Sequence, residues 1–260
     1  LLEVPALSVA GLSGGDGAVN ALDKDFDVPA IWKYNLGTQH SFDNDVLVGL
    51  DVIYSKYKDS AKTIALNAVG AGTAPDGRPI YRNFDVLDAD CATGGNINRC
   101  ERETTDYFLT NGDEHGDALV ISTFATKRWD MGIKATVGYA FQDINDGSPM
   151  NSSTASSNYG NLSVVDLAEP GIATSNYETK HRFTLNLGYS TQLFDGLDTR
   201  FNLFAQRQKG KAYSYTFDGD PGFGDERNFE DRNLLYVPLL DDPKVSYSSP
   251  EVEAEINNFI

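Results

Sequence analysis

The sequence predicts an all-β fold built from antiparallel strands, and three observations support this prediction. The composition combines 13 Tyr, 14 Phe and 24 Gly with only 2 Met in 260 residues, a mixture typical of strands and turns. Apolar and polar residues alternate with a period of two over segments of about 12–20 residues, against a usual strand length of about 5–6. Short turns and long links alternate along the chain. Together these features indicate about six long strands, arranged as three hairpins.

The first hairpin begins at Trp32. Up to Phe42, one parity carries aromatic and apolar side chains, whereas the other carries only Lys, Asn, Gly, Gln and Ser. A tight turn follows at residues 43–45, which read Asp-Asn-Asp. The alternation then resumes with Val46 and continues to Tyr54, so the second strand is predicted to return antiparallel to the first.

The other two hairpins differ in clarity. Residues 117–128 carry apolar groups on both parities, and a short turn at Trp129-Asp130 leads into a clear alternation over 133–142. The third hairpin alternates over 182–193 and again from 200 to 206, with Asp195-Gly196 as its turn, and its second strand can extend to Phe217.

The links between hairpins are long, at residues 59–115, 146–178 and 218–260. Structureless loops of that length are uncommon in soluble domains. Outer-membrane barrels combine short periplasmic turns with long extracellular loops. The sequence therefore predicts an antiparallel transmembrane β-barrel fragment, with residues 29–217 as the partial barrel and the long links as extracellular loops.

The flanking segments complete this division. Residues 1–28 are predicted to be an extracellular loop or linker. Residues 218–260 are predicted to be a further extracellular loop with a short helix near 250–260, because Ser249 and Pro250 suit a helix N-cap and first turn. Six strands cannot close a membrane barrel, since about 8 is the smallest number. We therefore expect the chain to be a slice of a larger barrel; assembly of several copies is the alternative.

Charge excludes some partners. The formal net charge is −17, which argues against nucleic acid because phosphate binding needs a basic surface. The predicted hairpins hold only 8 of the 38 acidic residues, so the acidity lies in the links. Solvation of the loops explains this distribution. Attraction of a cationic ligand, or of metal ions that bridge lipid phosphates, is the alternative.

The sequence contains few signs of chemistry. We find no nucleophile elbow, phosphate loop or HExxH motif, and we predict neither enzymatic activity nor a cofactor. His40, His115 and His181 form no cluster with metal-ligand spacing. The acidic segment from Asp218 to Glu226 is a conceivable calcium site without the spacing of an EF-hand.

The two cysteines, Cys91 and Cys100, lie in one long link with eight residues between them. Two thiols in a polar loop of a protein from an oxidising compartment favour a disulfide. A metal site that includes Asp88 and Asp90 is the competing interpretation.

Six phrases of the sequence, in this order and spacing, resemble the C-terminal barrel region of Oar-like TonB-dependent receptors of Gram-negative outer membranes. The resemblance covers most of residues 24–260. The phrases are Asp25–Pro29, Gly77–Arg82, Ser156–Tyr159, Ser175–Phe183, Gly210–Phe217 and Asn233–Pro238.

The resemblance implies a large plugged barrel of the 22-stranded type that imports a scarce nutrient with energy from the inner membrane. Its implied partners are outer-membrane lipid and lipopolysaccharide, an unidentified nutrient ligand, and a plug domain and the TonB complex, which would act through parts outside this sequence. No ligand-binding residue is carried over, because family members differ in cargo.

Within such a barrel the apolar parity of each strand is expected to face lipid and the polar parity the lumen. Arg182, Asn186 and Arg200 are the lumen-facing candidates for contacts with a plug. Aromatic residues are expected at both membrane interfaces. Those predicted near the short turns are Trp32, Phe42, Trp129 and Phe194, and those predicted nearer the outer surface are Tyr54, Tyr57, Tyr213 and Tyr215.

Two other interpretations remain open. The same barrel can serve as a structural or adhesive surface protein without transport. Alternatively, the chain can be a secreted, soluble β-rich binding module or hydrolase, in which both faces of each hairpin are partly buried.

Overall fold

The computed structural model describes residues 19–83, 105–148, 150–217, 233–240 and 242–259. Cys91, Cys100 and the whole of the acidic segment 218–226 lie outside the described residues. Those that are described form strands and two helices in the following order: β1 (Asn20–Leu22), β2 (Ala30–Ser41), β3 (Val46–Lys58), β4 (Ala61–Ala65), β5 (Ala68–Thr73), β6 (Pro79–Asn83), β7 (Tyr107–Asn111), β8 (Asp117–Arg128), β9 (Ile133–Asp146), α1 (Ala155–Gly160), β10 (Ala173–Thr174), β11 (His181–Phe194), β12 (Leu197–Gln208) and α2 (Pro250–Phe259).

Six long strands form one antiparallel sheet in the order β2-β3-β8-β9-β11-β12, and the short β10 pairs with the end of β9. Each strand of the six is hydrogen-bonded to its neighbours in chain order. The predicted antiparallel all-β fold is confirmed. Within the described residues the sheet is open, with β2 and β12 at its two edges.

Each short turn contains one residue in the left-handed region of backbone conformation. These residues are Asp45 (φ 60°), Gly132 (φ 83°) and Gly196 (φ 75°), and Asp and Gly are the types that tolerate this conformation at tight turns. At Gly132 a side chain is excluded for a second reason, because a Cβ there would overlap the carbonyl oxygen of Ser190.

The strand register places the apolar parity of all six strands on one side of the sheet, here called the apolar face. One continuous row across five strands shows this arrangement, and it runs Val48–Ala125–Val137–Leu185–Ala205. The opposite side, the polar face, carries the other parity. In β8, whose sequence left the assignment open, Leu119 and Ile121 lie on the apolar face, whereas Val120 and Phe124 lie on the polar face.

The hairpins are staggered in one direction. The β3–β8 pairing ends at Val46 opposite Lys127, whereas the β9–β11 pairing extends further, to Ile133 opposite Tyr189. The β11–β12 pairing continues beyond that level to Phe194 opposite Leu197. A stagger in one direction tilts the strands relative to the rim of the sheet, as strands in a barrel also are.

The long links are not structureless. The link 59–115 contains β4–β7, in which β4 and β7 form a small sheet with β1, and β5 pairs with β6. We call the described residues of 19–29, 59–83, 105–116, 147–180 and 209–240 the cap, because they lie at the end of the sheet opposite the short turns. β1 therefore lies in a segment predicted as loop or linker. β12 ends at Gln208, so the predicted extension of this strand to Phe217 is wrong.

The buried apolar side chains belong mainly to the cap. Tyr107 and Tyr159 are 9% and 2% exposed, and their rings meet edge to face at 5.5 Å. On the apolar face of the six long strands no described residue is buried; Leu36 and Leu203, for example, are 76% and 58% exposed. The hydrophobic core thus sits in the cap, and the apolar face has no described layer over it.

Candidate functional site: an uncovered sheet face and a capped trench

The apolar face carries its charges near the strand ends. On β8, Asp117 and Lys127 are the charged residues of this parity, and the four positions of the same parity between them are Leu119, Ile121, Thr123 and Ala125. Ten residues of strand span about 33 Å, which becomes about 25 Å in height at the usual barrel tilt of about 35–45°. This height matches the apolar band of an outer-membrane barrel, which is about 25 Å tall.

Aromatic residues flank this band on both sides. Towards the cap, the rings of Tyr34 and Tyr54 stack at 6.4 Å, and those of Tyr139 and Phe183 lie 4.7 Å apart. Towards the turns, Lys127 Nζ lies 5.5 Å from the centroid of the Trp129 ring. Aromatic rings with an adjacent cation are typical of a membrane–water interface.

Two of the aromatic residues predicted for the membrane interfaces are wrongly placed. Trp32 lies opposite Lys56, at the cap end of β2, because it is the third residue of the strand and the turn begins eleven residues later. Tyr57 lies on the polar face, since it shares the parity of Ser55 and Ile53 in β3. Phe42 and Trp129 do lie beside the first and second turns, where Phe42 N donates to Val46 O and Trp129 N to Ile133 O.

The polar face is crowded around its glycines. The Phe124 ring occupies the space that a Cβ at Gly49 would fill, and a Cβ at Gly138 would lie 2.7 Å from Thr184 Oγ1. Glycine in a strand interior marks a close approach or a bend. Side chains lean over these glycines on the polar face only, as expected if this face is the concave one.

The three predicted lumen-facing residues all lie on the polar face. Arg182 donates a 2.7 Å hydrogen bond to Gln206 Oε1, Asn186 lies opposite Phe204, and Arg200 lies opposite Ser190. The structure does not bring them together. Arg182 and Asn186 are four residues apart on β11, about 13 Å along the strand.

Two clefts lie where the cap meets the polar face. Their volumes are about 360 and 500 Å³, and both are lined by Asp146, Gly147 and Tyr177. Ile31, Tyr57 and Asp146 have the parity of the polar face, so the larger cleft opens on that side. We call these two joined clefts the trench. A third cleft of about 330 Å³ lies beside the Lys62–Glu169 ion pair, whose atoms are 2.7 Å apart.

The segment from Ser175 to His181 fixes one wall of the trench. Ser175 Oγ donates a hydrogen bond to Asp146, Ile144 N donates to Glu178 Oε2 at 2.8 Å, and Thr179 N donates to Gln142 Oε1 at 2.8 Å. Ser175 and Glu178 are 1% and 6% exposed. These bonds secure the segment to β9 and leave the intervening Tyr177 ring exposed.

Inside the cap, Arg78 forms a buried ion pair within its own link and a hydrogen bond to a second link. The Arg78 guanidinium lies 2.7 Å from Asp76 Oδ2 and donates a second bond of 2.7 Å to Leu234 O. The two side chains are only 7% and 12% exposed. Burial alone would raise the pKa of the Asp76 carboxyl, but the Arg78 hydrogen bonds and charge outweigh it, so the pKa lies below its ordinary value.

A second contact joins the first link to the second. Tyr81 Oη donates a 2.8 Å hydrogen bond to Asp166 Oδ1. Burial and this bond to a carboxylate raise the pKa of the Tyr81 hydroxyl to about 12, because both disfavour the phenolate.

The phrases that carry the family resemblance meet one another in the cap. Arg78, from the second phrase, reaches the Leu234 carbonyl of the sixth. Leu235 N donates to Tyr215 O of the fifth at 2.9 Å, and Lys211 Nζ of the fifth lies 5.9 Å from the Tyr177 ring centroid of the fourth. Sequence reasoning identified these phrases but not their contacts, nor the trench, which residues of the first, fourth and fifth phrases line.

No family model matches the chain, and neither the curated proteins nor the solved structures contain a significant match.

None of the helices in the described ranges is both long and apolar enough to cross a membrane. Across those same ranges, no three His, Cys, Asp or Glu side chains are grouped so that they could hold a metal ion.

Proposed function

We propose that this chain forms part of the wall and outer mouth of an outer-membrane β-barrel. The observation that carries this proposal is the apolar face: six staggered strands present an uncovered apolar band about 25 Å tall, flanked by aromatic residues, opposite a polar face rich in glycine.

Acyl chains are the covering that fits this face best. Soluble monomers rarely expose contiguous apolar patches larger than a few hundred Å², yet Leu36, Phe183 and Leu203 are each more than half exposed on different strands. A soluble sandwich would need a second layer over the same face, and the described part of the chain packs its own core in the cap instead. Lipid acyl chains can cover the apolar face directly, without a second layer of protein. The bilayer core then requires only that the backbone N–H and C=O groups pair between strands.

The sheet edges support the same conclusion. β2 and β12 are 12 residues each, and their outer backbone groups have no strand partner within the described residues. Unpaired backbone groups in hydrocarbon cost several kcal/mol each. We therefore propose that further strands of the complete barrel pair with both edges.

We further propose that the complete barrel is a TonB-dependent receptor that imports a scarce nutrient through a plugged lumen. The support for this step is the ordered set of six phrases. In this proposal the polar face lines the lumen, Arg182, Asn186 and Arg200 face the plug, and the cap captures cargo at the outer surface. An open reading frame that encodes a plug and a TonB-contacting segment beside this region supports it; their absence from the complete gene favours an adhesive barrel.

The lipid-facing assignment is tested by a matched pair of neighbours on β11. Leu187→Arg should lower the free energy of unfolding of the complete protein in lipid vesicles by about 2–4 kcal/mol, because it places a charge in hydrocarbon. Asn186→Arg should cost much less, since it faces the polar side. Denaturant titration followed by heat-modifiable gel migration measures both. Equal losses, or recovery of the wild-type protein as a compact monomer in detergent-free buffer, contradict the proposal.

A further inference from the structure

The trench differs in charge from the rest of the protein. The chain has a net charge of −17, but among the described residues the smaller cleft is lined by one charged residue, Asp146, and the larger adds only Lys58. Both charges already have partners. Asp146 accepts a hydrogen bond from Ser175, and Lys58 Nζ lies 2.7 Å from Asp59. Lys211, whose Nζ lies 5.9 Å from the centroid of the Tyr177 ring, adds a cation beside the smaller cleft, so the described charges around the trench are few and of both signs.

What the smaller cleft offers is neutral hydrogen bonding. Asn161, Ser163, Thr174, Asn176 and Ser214 line it, and their amides and hydroxyls can both donate and accept. A ligand that satisfies them must itself carry many neutral donors and acceptors at close spacing.

Two exposed tyrosine rings complete the surface. Tyr177 and Tyr213 line the smaller cleft and are 57% and 73% exposed. Neither ring is loosely attached. Tyr177 lies between the secured residues Ser175 and Glu178, and the Tyr213 hydroxyl lies 2.9 Å from that of Tyr215, whose ring meets it edge to face at 5.2 Å. Rigid aromatic surface exposed beside a cleft is typical of a ligand site.

From these features we infer that the trench binds a neutral oligosaccharide. Sugar rings would lie against Tyr177 and Tyr213, and sugar hydroxyls would bond to the amides and hydroxyls of the smaller cleft. Volumes of about 360 and 500 Å³ lie within the usual range for small-ligand sites, about 300–1,000 Å³. This inference deepens the proposed function, on which it rests for the placing of the trench at the outer mouth, by naming a class of cargo.

Charge argues against the other classes of ligand. An anionic chelate or acidic glycan would approach a protein of net charge −17 and would find Asp146 in the trench. A cation would find Asp146 as the one acidic group among the described lining residues, with Lys58 and Lys211 nearby. A polyhydroxylated neutral ligand meets neither obstacle.

Calorimetric titration of the complete protein in detergent tests the inference. The probes are neutral hexasaccharides (α-1,4-glucan, β-1,4-glucan, β-1,3-glucan, mannan and xylan), a hexagalacturonate and a polar hexapeptide. We expect at least one neutral hexasaccharide to bind, with affinity about tenfold weaker in Tyr213→Ala, which corresponds to about 1.4 kcal/mol. Tyr177→Ala should weaken binding to a similar extent. Tyr213→Phe keeps the ring and should bind within about threefold of wild type, because the Tyr213 hydroxyl is bonded to that of Tyr215 and the ring supplies the sugar contact.

Leu240→Ala is the control variant, because Leu240 is 72% exposed in the cap and does not line the trench; its binding should equal that of wild type. Failure of every neutral probe overturns the inference, as does binding that ignores both tyrosine substitutions or that selects the acidic glycan or the peptide. Heat-modifiable migration of each variant shows that the barrel is folded. Failure of the folded wild-type protein to bind any neutral probe thus contradicts the trench assignment alone, whereas the comparison of Leu187→Arg with Asn186→Arg tests the barrel.

Discussion

Arg78 joins two links of the chain that are 156 residues apart. Its guanidinium is buried against Asp76 and the Leu234 carbonyl, so replacement of Arg78 would leave the buried Asp76 carboxylate without this ion pair. Tyr81 plays a related part towards Asp166. At this scale the cap is a set of specific polar contacts between links rather than a collection of independent loops.

Arg78→Ala should loosen the cap without unfolding the sheet. Because breaking a buried ion pair costs about 3–5 kcal/mol, we expect the local opening free energy at residues 74–78 and 233–235 to fall by about 3 kcal/mol. Hydrogen exchange with mass spectrometry measures this loss. Lys244→Ala is the control, since Lys244 Nζ makes an exposed 3.1 Å contact with Asp76 O and lies 6.0 Å from the Tyr236 ring centroid, and its loss should cost less than about 1 kcal/mol. Equal exchange in the two variants would show that Arg78 is not the joining residue.

The Tyr81 hydroxyl should make the cap sensitive to alkali. Its pKa is raised to about 12, against about 10 in an unfolded chain, so the folded state favours the neutral form. The stabilising contribution is therefore complete below pH 10 and is lost as pH rises through 12. Hydrogen exchange of the cap amides between pH 9 and 12 measures this contribution in the wild-type protein and in Tyr81→Phe. In Tyr81→Phe this part of the pH dependence should disappear. An unchanged pH profile in Tyr81→Phe would refute the assignment.

The contacts of single residues were the hardest feature to predict from the sequence. The parity of Arg182, Asn186 and Arg200 follows from local alternation, and the register places all three on the polar face. The Arg78–Leu234 contact has no local signal, because no pattern within either phrase specifies a partner 156 residues away. The trench was missed for the same reason: Asn161, Tyr177 and Tyr213 come from three separate parts of the chain.

At the scale of elements, long strands were predictable because their alternation repeats many times. β11 and β12 alternate over most of their 14 and 12 residues, and Asp or Gly marks each turn. β4–β7 have 5 or 6 residues each, too few for a period of two to stand out from the surrounding loop sequence. Their pairing is set by contacts within the cap.

The ambiguous strand β8 shows how packing settles what alternation leaves open. Phe124 breaks the polar parity, but its ring covers the space above Gly49 on the neighbouring strand. Phe124 and Gly49 lie opposite each other as a cross-strand pair, in which the large ring fills the space that the glycine leaves on the polar face. Neither residue indicates this arrangement until the register of β3 and β8 is known.

Gly49→Ala should therefore destabilise the sheet. A Cβ at this position overlaps the Phe124 ring, and overpacking typically costs about 1–3 kcal/mol. Gly49→Ala combined with Phe124→Ala should recover the overpacking part of the loss, which a double-mutant cycle isolates. Gly70→Ala in β5 is the control, since a Cβ there meets nothing within 4 Å. Denaturant titration in vesicles measures the four proteins of the cycle and the control. Additive losses in the double variant would contradict the cross-strand pair.

The cap and the six-stranded sheet of the molecule are stabilised in different ways. Buried apolar residues such as Tyr159, Val164 and Leu167 hold the cap together in the ordinary way, whereas the six-stranded sheet relies on its backbone ladders and leaves its apolar face uncovered in the described chain. The acidic residues follow the same division, because only 8 of 38 lie in the hairpins. The proposed placement of the cap in water and of the sheet in lipid explains both distributions with one boundary.

That boundary predicts the sidedness of the protein in the cell. Asp195 lies in an exposed turn at one end of the sheet, and Leu240 is 72% exposed in the cap at the other. Outer-membrane barrels place short turns in the periplasm and long loops outside. In a background with Cys91→Ser and Cys100→Ser, Leu240→Cys should react with a membrane-impermeant maleimide on intact cells. Asp195→Cys should react only after the outer membrane is permeabilised, because the reagent cannot otherwise reach the periplasm. The reverse pattern would invert the proposed orientation, and equal labelling of both sites on intact cells would mean that no membrane separates the turns from the cap.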